Sequence, residues 1–178
     1  MGRWASELCV REAIQGACGA AERLIQQVWP ACFRLAAAAL GDRMLAQDAA
    51  QDVCVIVHRK IRSLRSPAAF DTWMYRTAMR EISRLRRKHR RRDESVERFT
   101  DPADTISLDV WSALDALPPD LRDVVVLFYF DDLQTSDIAA ALKIPDTTVR
   151  TRLNRARQRL REVLKEYQSI EPTESRHA

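Results

Sequence analysis

Apolar residues recur every three or four positions along most of this chain, in stretches separated by glycine, proline or clustered charge. Ser6 to Gln15 reads as a short first helix, punctuated by Gly16 and Gly19. Leu24, Val28, Cys32, Leu35 and Ala39 then predict a second helix to about Leu40. Pro30 lies inside it, where a kink or a new helix start is expected. Gly41-Asp42 breaks the pattern. From Met44 to about Ile61, Ala49, Val53, Ile56 and Val57 form an inward stripe, while Asp48, Gln51, Asp52 and Arg59 point elsewhere. Ser63 to Pro67 makes a loop. A third long helix starts near Ala68 and carries Phe70, Trp73, Met74, Thr77, Ile82 and Leu85 into an arginine-rich end. Asp93 to Leu108 is acidic and has no apolar period, as an exposed linker would. Helical pattern resumes at about Asp109 to Ala116, breaks at Leu117-Pro118-Pro119 and continues from Asp120 to Phe130, with Leu121, Val124, Val125 and Phe128 inward.

The stretch from Leu133 to Tyr167 reads as a helix-turn-helix. Thr135 is placed to cap its first helix, with Asp137 in the first turn, where a carboxylate suits the positive end of the helix dipole. Lys143-Ile144-Pro145-Asp146 then interrupts the period, because proline disfavours helix in the residue before it, and Asp146 or Thr147 can cap the next helix. That second helix carries two stripes. Val149, Leu153, Ala156, Leu160 and Val163 recur at helical spacing and would bury against the preceding helix. Arg150, Thr151, Asn154 and Arg155, with Arg152 beside them, sit near the helix start, where a recognition helix presents hydrogen-bonding side chains to base edges in a major groove. Duplex DNA is the ligand this pattern points to.

Composition sharpens the picture. The 178 residues are 46% hydrophobic, enough for packed cores in one domain or two small ones, and only four are glycine. The net charge of +4 is modest but unevenly spread, with one basic block at residues 84–92 and a second at residues 150–161. Two separated blocks fit two contacts with a polyanion. Cys9, Cys18, Cys32 and Cys54 lack C-x-x-C spacing and sit on apolar patterns, so they read as buried free thiols rather than a zinc site or a disulfide framework. No apolar run is long enough to span a bilayer, and no signal core follows a basic N-terminus, so the chain reads as cytoplasmic. His58, His89 and His177 are scattered, and no nucleophile-base pair or metal-ligand cluster appears, so no catalytic site, cofactor or metal is expected.

Two segments together resemble the extracytoplasmic-function sigma factors of the sigma-70 family. The first is AQDAAQDVCVIVHRK at Ala46 to Lys60, followed by FDTWMYRTA at Phe70 to Ala78 and the arginine-rich helix end. The second is ALDALPPDLRDVVVLFYFDDLQTSDIAAALKIPDTTVRTRLNRARQRL at Ala113 to Leu160. The resemblance implies an all-α chain: a region 2-like domain over residues 1–92, an acidic linker over 93–108, a region 4-like helix-turn-helix domain over 109–170 and a tail over 171–178. It implies a promoter-specificity subunit whose partners are core RNA polymerase, promoter DNA and an anti-sigma factor. By resemblance, Asp48, Gln51 and Asp52 lie in the polymerase-binding helix, and the first domain recognises and melts the −10 element. The loop holding Ser63 and Arg65 matches the segment that cradles a flipped base. Arg84, Arg86, Arg87 and Arg90 are expected to neutralise phosphates, and the helix-turn-helix to read the −35 element.

The chain departs from the family pattern at three places. Arg80-Glu81 and Ser83-Arg84 stand where the family commonly has an Asn and, one turn later, an Asp, so melting contacts do not carry over there. Thr147 replaces the glycine usual before the recognition helix. Phe70 and Trp73 match the family's aromatic pair, yet their helical spacing fits a core role. The competing reading is a free-standing regulator in which the first helical domain serves dimerisation.

Overall fold

The computed structural model describes residues 4–90, 113–114 and 116–170, and among these there are helices and turns but no strand. The expected acidic linker lies outside the described residues. Helix α1 spans Glu7–Gln15, and Ser6 caps it by accepting from the Cys9 N–H. Gly16 closes it at φ 76, a left-handed backbone position at which a Cβ would also sit 3.1 Å from the Arg62 guanidinium. Helix α2 runs unbroken over Ala20–Leu40, straight through Pro30. Pro30 and Gln26, whose carbonyl loses its helical partner to the proline, are both exposed, so water can serve that carbonyl and no new helix start is needed.

Asp42 caps α3, which spans Arg43–Lys60, through a 3.0 Å bond from the Leu45 N–H. The expected loop is present at residues 64–66, flanked by two single 3₁₀ turns, Ile61–Ser63 and Pro67–Ala69, the second capped by Ser66. Helix α4 covers Phe70–Arg90. These four helices bury Leu24, Val28, Cys32, Val53, Val57, Phe70, Met74 and Ile82 in a common core. Ile56, expected in that stripe, is only half-buried.

The second half begins with α5 at Pro119–Val125, where proline at the first position suits a helix start. A wide π-helical turn, Val126–Phe130, continues it, and the Asp131 N–H reaches back to the Val126 carbonyl. Helix α6 spans Thr135–Leu142 and α7 spans Asp146–Ile170. Thr135 is the first residue of α6 rather than its cap; the cap position is Gln134, whose side chain makes no capping bond. Lys143 ends α6 in the left-handed conformation at φ 56. Leu114, Leu117, Leu121, Val125 and Ala156 form a small second cluster under α7.

Apart from that small cluster, the two halves share one core. Val124, Val126, Leu127, Ile138, Ala141, Val149 and Leu153 belong to the same buried apolar cluster as α1 to α4. Helix α6 lies against α4, and the π-helical turn against α2. Leu127→Ala, at a wholly buried position in that shared cluster, is therefore expected to cost about 2–5 kcal/mol by the usual cavity penalty. Urea denaturation followed by circular dichroism measures it, and a loss below about 0.5 kcal/mol would contradict this packing.

Candidate nucleic-acid interface

Helix α7 buries Val149, Leu153 and Ala156 and half-buries Leu160 and Val163, as its apolar period requires. Turning those residues inward leaves Arg150, Thr151, Asn154 and Arg155 exposed on the outer side, where 100° per residue also brings Gln158 and Arg161. Arg150 is held along the helix by Asp146 at 2.8 Å, an exposed pair that orients more than it stabilises. Asp146 is the helix's first residue and commits its Oδ2 to that pair. Thr151 donates to the Thr147 carbonyl at 2.8 Å. Arg152 turns the other way, toward Asp120 at the start of α5, 3.4 Å away. Arg157 braces the unit: its Nε donates to the Tyr129 hydroxyl at 2.9 Å, and its guanidinium lies over the Phe128 and Tyr129 rings at 5.7 and 5.9 Å.

The arginine-rich end of α4 divides its residues among different tasks. Arg87 is exposed, and Arg90 closes the helix. Arg84 is shared between Glu81, at 2.5 Å, and Asp52 on α3. Glu81, at one of the positions that depart from the family pattern, is buried and thus serves as a partner for arginine rather than as a surface contact. Arg86 turns inward. Its Nη2 donates to Asp123 on α5 at 2.9 Å and to the Ala39 carbonyl in the last turn of α2 at 2.9 Å. The two ion-pair side chains keep only 15% and 13% of their exposure, so this arginine is not free for phosphate. Burial pushes the Asp123 carboxyl up, against the pull of Arg86, then Arg122 and Arg152.

Between α4 and the end of α6 lies a cleft of about 490 Å³ whose walls include Lys60, Trp73, Arg76, Arg80, Arg87 and Lys143, with no acidic side chain among its lining residues. Lys60, Arg76, Arg80 and Lys143 belong to neither basic block of the sequence; the period of α4 puts Arg76, Arg80 and Arg87 on one side, a signal that contiguous basic runs do not carry. Trp73 is half-buried against Phe70, ring centroids 6.0 Å apart, and presents its remaining surface to the cleft while Phe70 is core. Ser63, whose hydroxyl donates to the Lys60 carbonyl, and Arg65 are exposed beside it in sequence but do not line it. On α3, Asp48 and Gln51 are exposed, whereas Asp52 is half-buried and paired with Arg84. Of the cysteines, Cys9, Cys32 and Cys54 are buried and Cys18 is exposed. Burial pushes the Cys32 thiol up strongly and Cys54 to about 11, which keeps both in the unreactive thiol form.

Residues 10–92 match sigma-70 region 2, and residues 107–160 match sigma-70 region 4. The chain belongs to the sigma-70 family, in its extracytoplasmic-function branch. It is 31% identical over 162 residues to the ECF RNA polymerase sigma factor SigE of Mycolicibacterium smegmatis, covering 83% of this sigma factor and 63% of that one. It is 32% identical to the RNA polymerase sigma-H factor of Pseudomonas aeruginosa, covering 69% and 75%, and 29% identical to SigW of Bacillus subtilis, covering 79% and 84%. Among solved structures, the sigma factor RpoE in complex with the anti-sigma factor NepR from Bartonella quintana superposes with a TM-score of 0.70 at 24% identity, over 85% of this chain and 98% of that one. CnrH in complex with the cytosolic domain of CnrY gives 0.70 at 23%, over 90% and 97%. The likeness to these two is one of fold. Within this sigma factor, Tyr129→Phe is expected to lose only the Arg157 hydrogen bond, about 0.5–1.5 kcal/mol, and Arg157→Ala to lose the ring contacts as well. Thermal melts of both variants check the order, and equal losses would show that the rings contribute nothing.

Proposed function

We propose that this chain binds core RNA polymerase, directs it to promoters and takes part in opening them. The carrying observation is the exposed face of α7, where Arg150, Thr151, Asn154 and Arg155 stand together on a helix braced from behind by α6 and by Arg157. Such a face can enter a major groove and hydrogen-bond base edges, and we assign it the −35 element. The −10 element falls to the first domain, with Arg87, Arg90, Ser63 and Arg65 as phosphate or loop contacts and Trp73 as the aromatic surface. Arg84 and Arg86 enter that set only once their acidic partners release them. Asp48 and Gln51, with Asp52 behind them, form the polymerase-facing side of α3.

The chain acts by binding. Strand separation can be driven by capturing the exposed single strand, which requires no nucleophile, metal or cofactor. Its place of action is the cytoplasm, where polymerase and DNA are; no helix among the described residues is long and apolar enough to cross a membrane. An anti-sigma factor is a further proposed partner, supported by the Bartonella quintana neighbour, which was solved with the anti-sigma factor NepR. The region 2 match over residues 10–92 weighs against reading that half as a dimerisation bundle.

Transcription from candidate promoters with purified core polymerase tests the proposal, and no stimulation over core alone would reject it. Asp48→Arg should weaken polymerase binding by about tenfold or more, since it puts repulsion on an exposed position without opening a cavity. Unchanged affinity with intact helicity would remove α3 from the interface. Arg150→Ala or Asn154→Ala should cost about 1–3 kcal/mol on the preferred −35 sequence and relax one position of it. Arg87→Ala should instead weaken binding to many sequences and flatten the salt dependence. Equal, sequence-independent losses at all three positions would leave α7 a generic basic surface.

A further inference from the structure

The cationic side of α4 is covered by the chain's own second half. The end of α6 supplies Ala141, Leu142 and Lys143 to the cleft wall opposite Arg76, Arg80 and Arg87. Arg76 Nε donates to the Ala140 carbonyl at 2.7 Å, and Ala141 is buried in the shared core. The space left has the volume of a small-molecule pocket, not that of a DNA duplex. A second constraint comes from DNA itself. At 3.4 Å per base step, promoter positions −35 and −10 lie roughly 85 Å apart along a straight duplex. Two domains in direct contact cannot read both together.

We propose that Arg86 and Asp123 form the latch of this self-covered state, and that releasing them lets the helix-turn-helix swing off α4. The meaning given to the cationic face rests on the promoter-binding reading above. The latch is placed for the task. Asp123 belongs to α5, at the base of the second half, and Arg86 to α4 in the first. The same guanidinium also holds the Ala39 carbonyl at the C-terminal end of α2, where unpaired carbonyls gather negative charge. Arg122 adds a longer bond to that carbonyl, at 3.4 Å, again across the two halves. Removing one member of a buried ion pair strands the other charge, which water can relieve only if the halves separate. Replacing both members by apolar side chains strands neither charge and leaves the Ala39 carbonyl to Arg122, so only the hold of the pair itself is lost.

The experiment uses the full chain, free of polymerase. Small-angle X-ray scattering reports whether the halves separate, and the affinity for a mixed-sequence single-stranded DNA oligonucleotide reports whether the face of α4 is uncovered. Asp123→Ala is expected to enlarge the radius of gyration and to tighten oligonucleotide binding by threefold or more. Arg86→Met combined with Asp123→Leu also removes the latch and is expected to open, though less far than Asp123→Ala, because no charge is left stranded. Should Asp123→Ala not fold by circular dichroism, Asp123→Asn keeps the side-chain shape without the charge and is expected to open the chain part-way. Folded single variants with unchanged scattering and affinity would overturn the latch. An apolar pair that scatters and binds as the parent does would show that packing alone holds the halves together and would also overturn the latch. Neither readout involves polymerase, so a failure of transcription with core would reject the proposed function and leave the latch standing.

Discussion

One arginine ties together three helices that the chain forms far apart in sequence. Arg86 meets the carbonyl end of α2 and the Asp123 carboxylate of α5, and around that junction the apolar faces of both halves close into one cluster. The charge pair is not what supplies most of the stability, since burying two ions costs about as much as their attraction returns. Apolar burial does that. What the pair does is fix which surfaces meet, because any other docking of the halves would leave a guanidinium and a carboxylate out of water with nothing to face.

The same pairing of opposite charges recurs on the flank of α4. Arg84 bridges Asp52 and Glu81, so an arginine that could meet phosphate and an aspartate that could meet polymerase hold each other instead. Charge on this molecule is thus partly internal structure and partly surface chemistry. Arg87 and Arg155 remain for the surface and Arg150 stays exposed beside Asp146, whereas the acidic partners of Arg84 and Arg86 hold those two within the fold.

Periodicity made most of the helices legible, and the helix-turn-helix most clearly. Its inward stripe at Val149, Leu153 and Ala156 is buried as the period requires, and its outward residues are exposed. Boundaries were legible where a side chain caps, as at Ser6 and Asp42, and slipped by one residue at Thr135, where no side chain does. Pro30 shows that a breaker counts only if the lost hydrogen bond is hidden from water. The arginine block misleads for a related reason. Nine basic-rich residues in a row look alike as composition, whereas Arg86 lies one turn beyond Ile82 and so on the flank that faces the core. Asp123 carried no such signal, because a lone acid beside Leu121 and Val124 finds its partner only in three dimensions.

Between α6 and α7 the chain turns on Lys143, at φ 56, a left-handed backbone that glycine enters freely and a lysine enters at a cost of about 1–2 kcal/mol. Glycine in the turn would relax the chain there and at the same time delete an ammonium from the mouth of the cleft. The tight corner between the two helices therefore gives up backbone comfort for a positive charge held at a fixed point, and a sequence tuned only for folding would make the opposite choice.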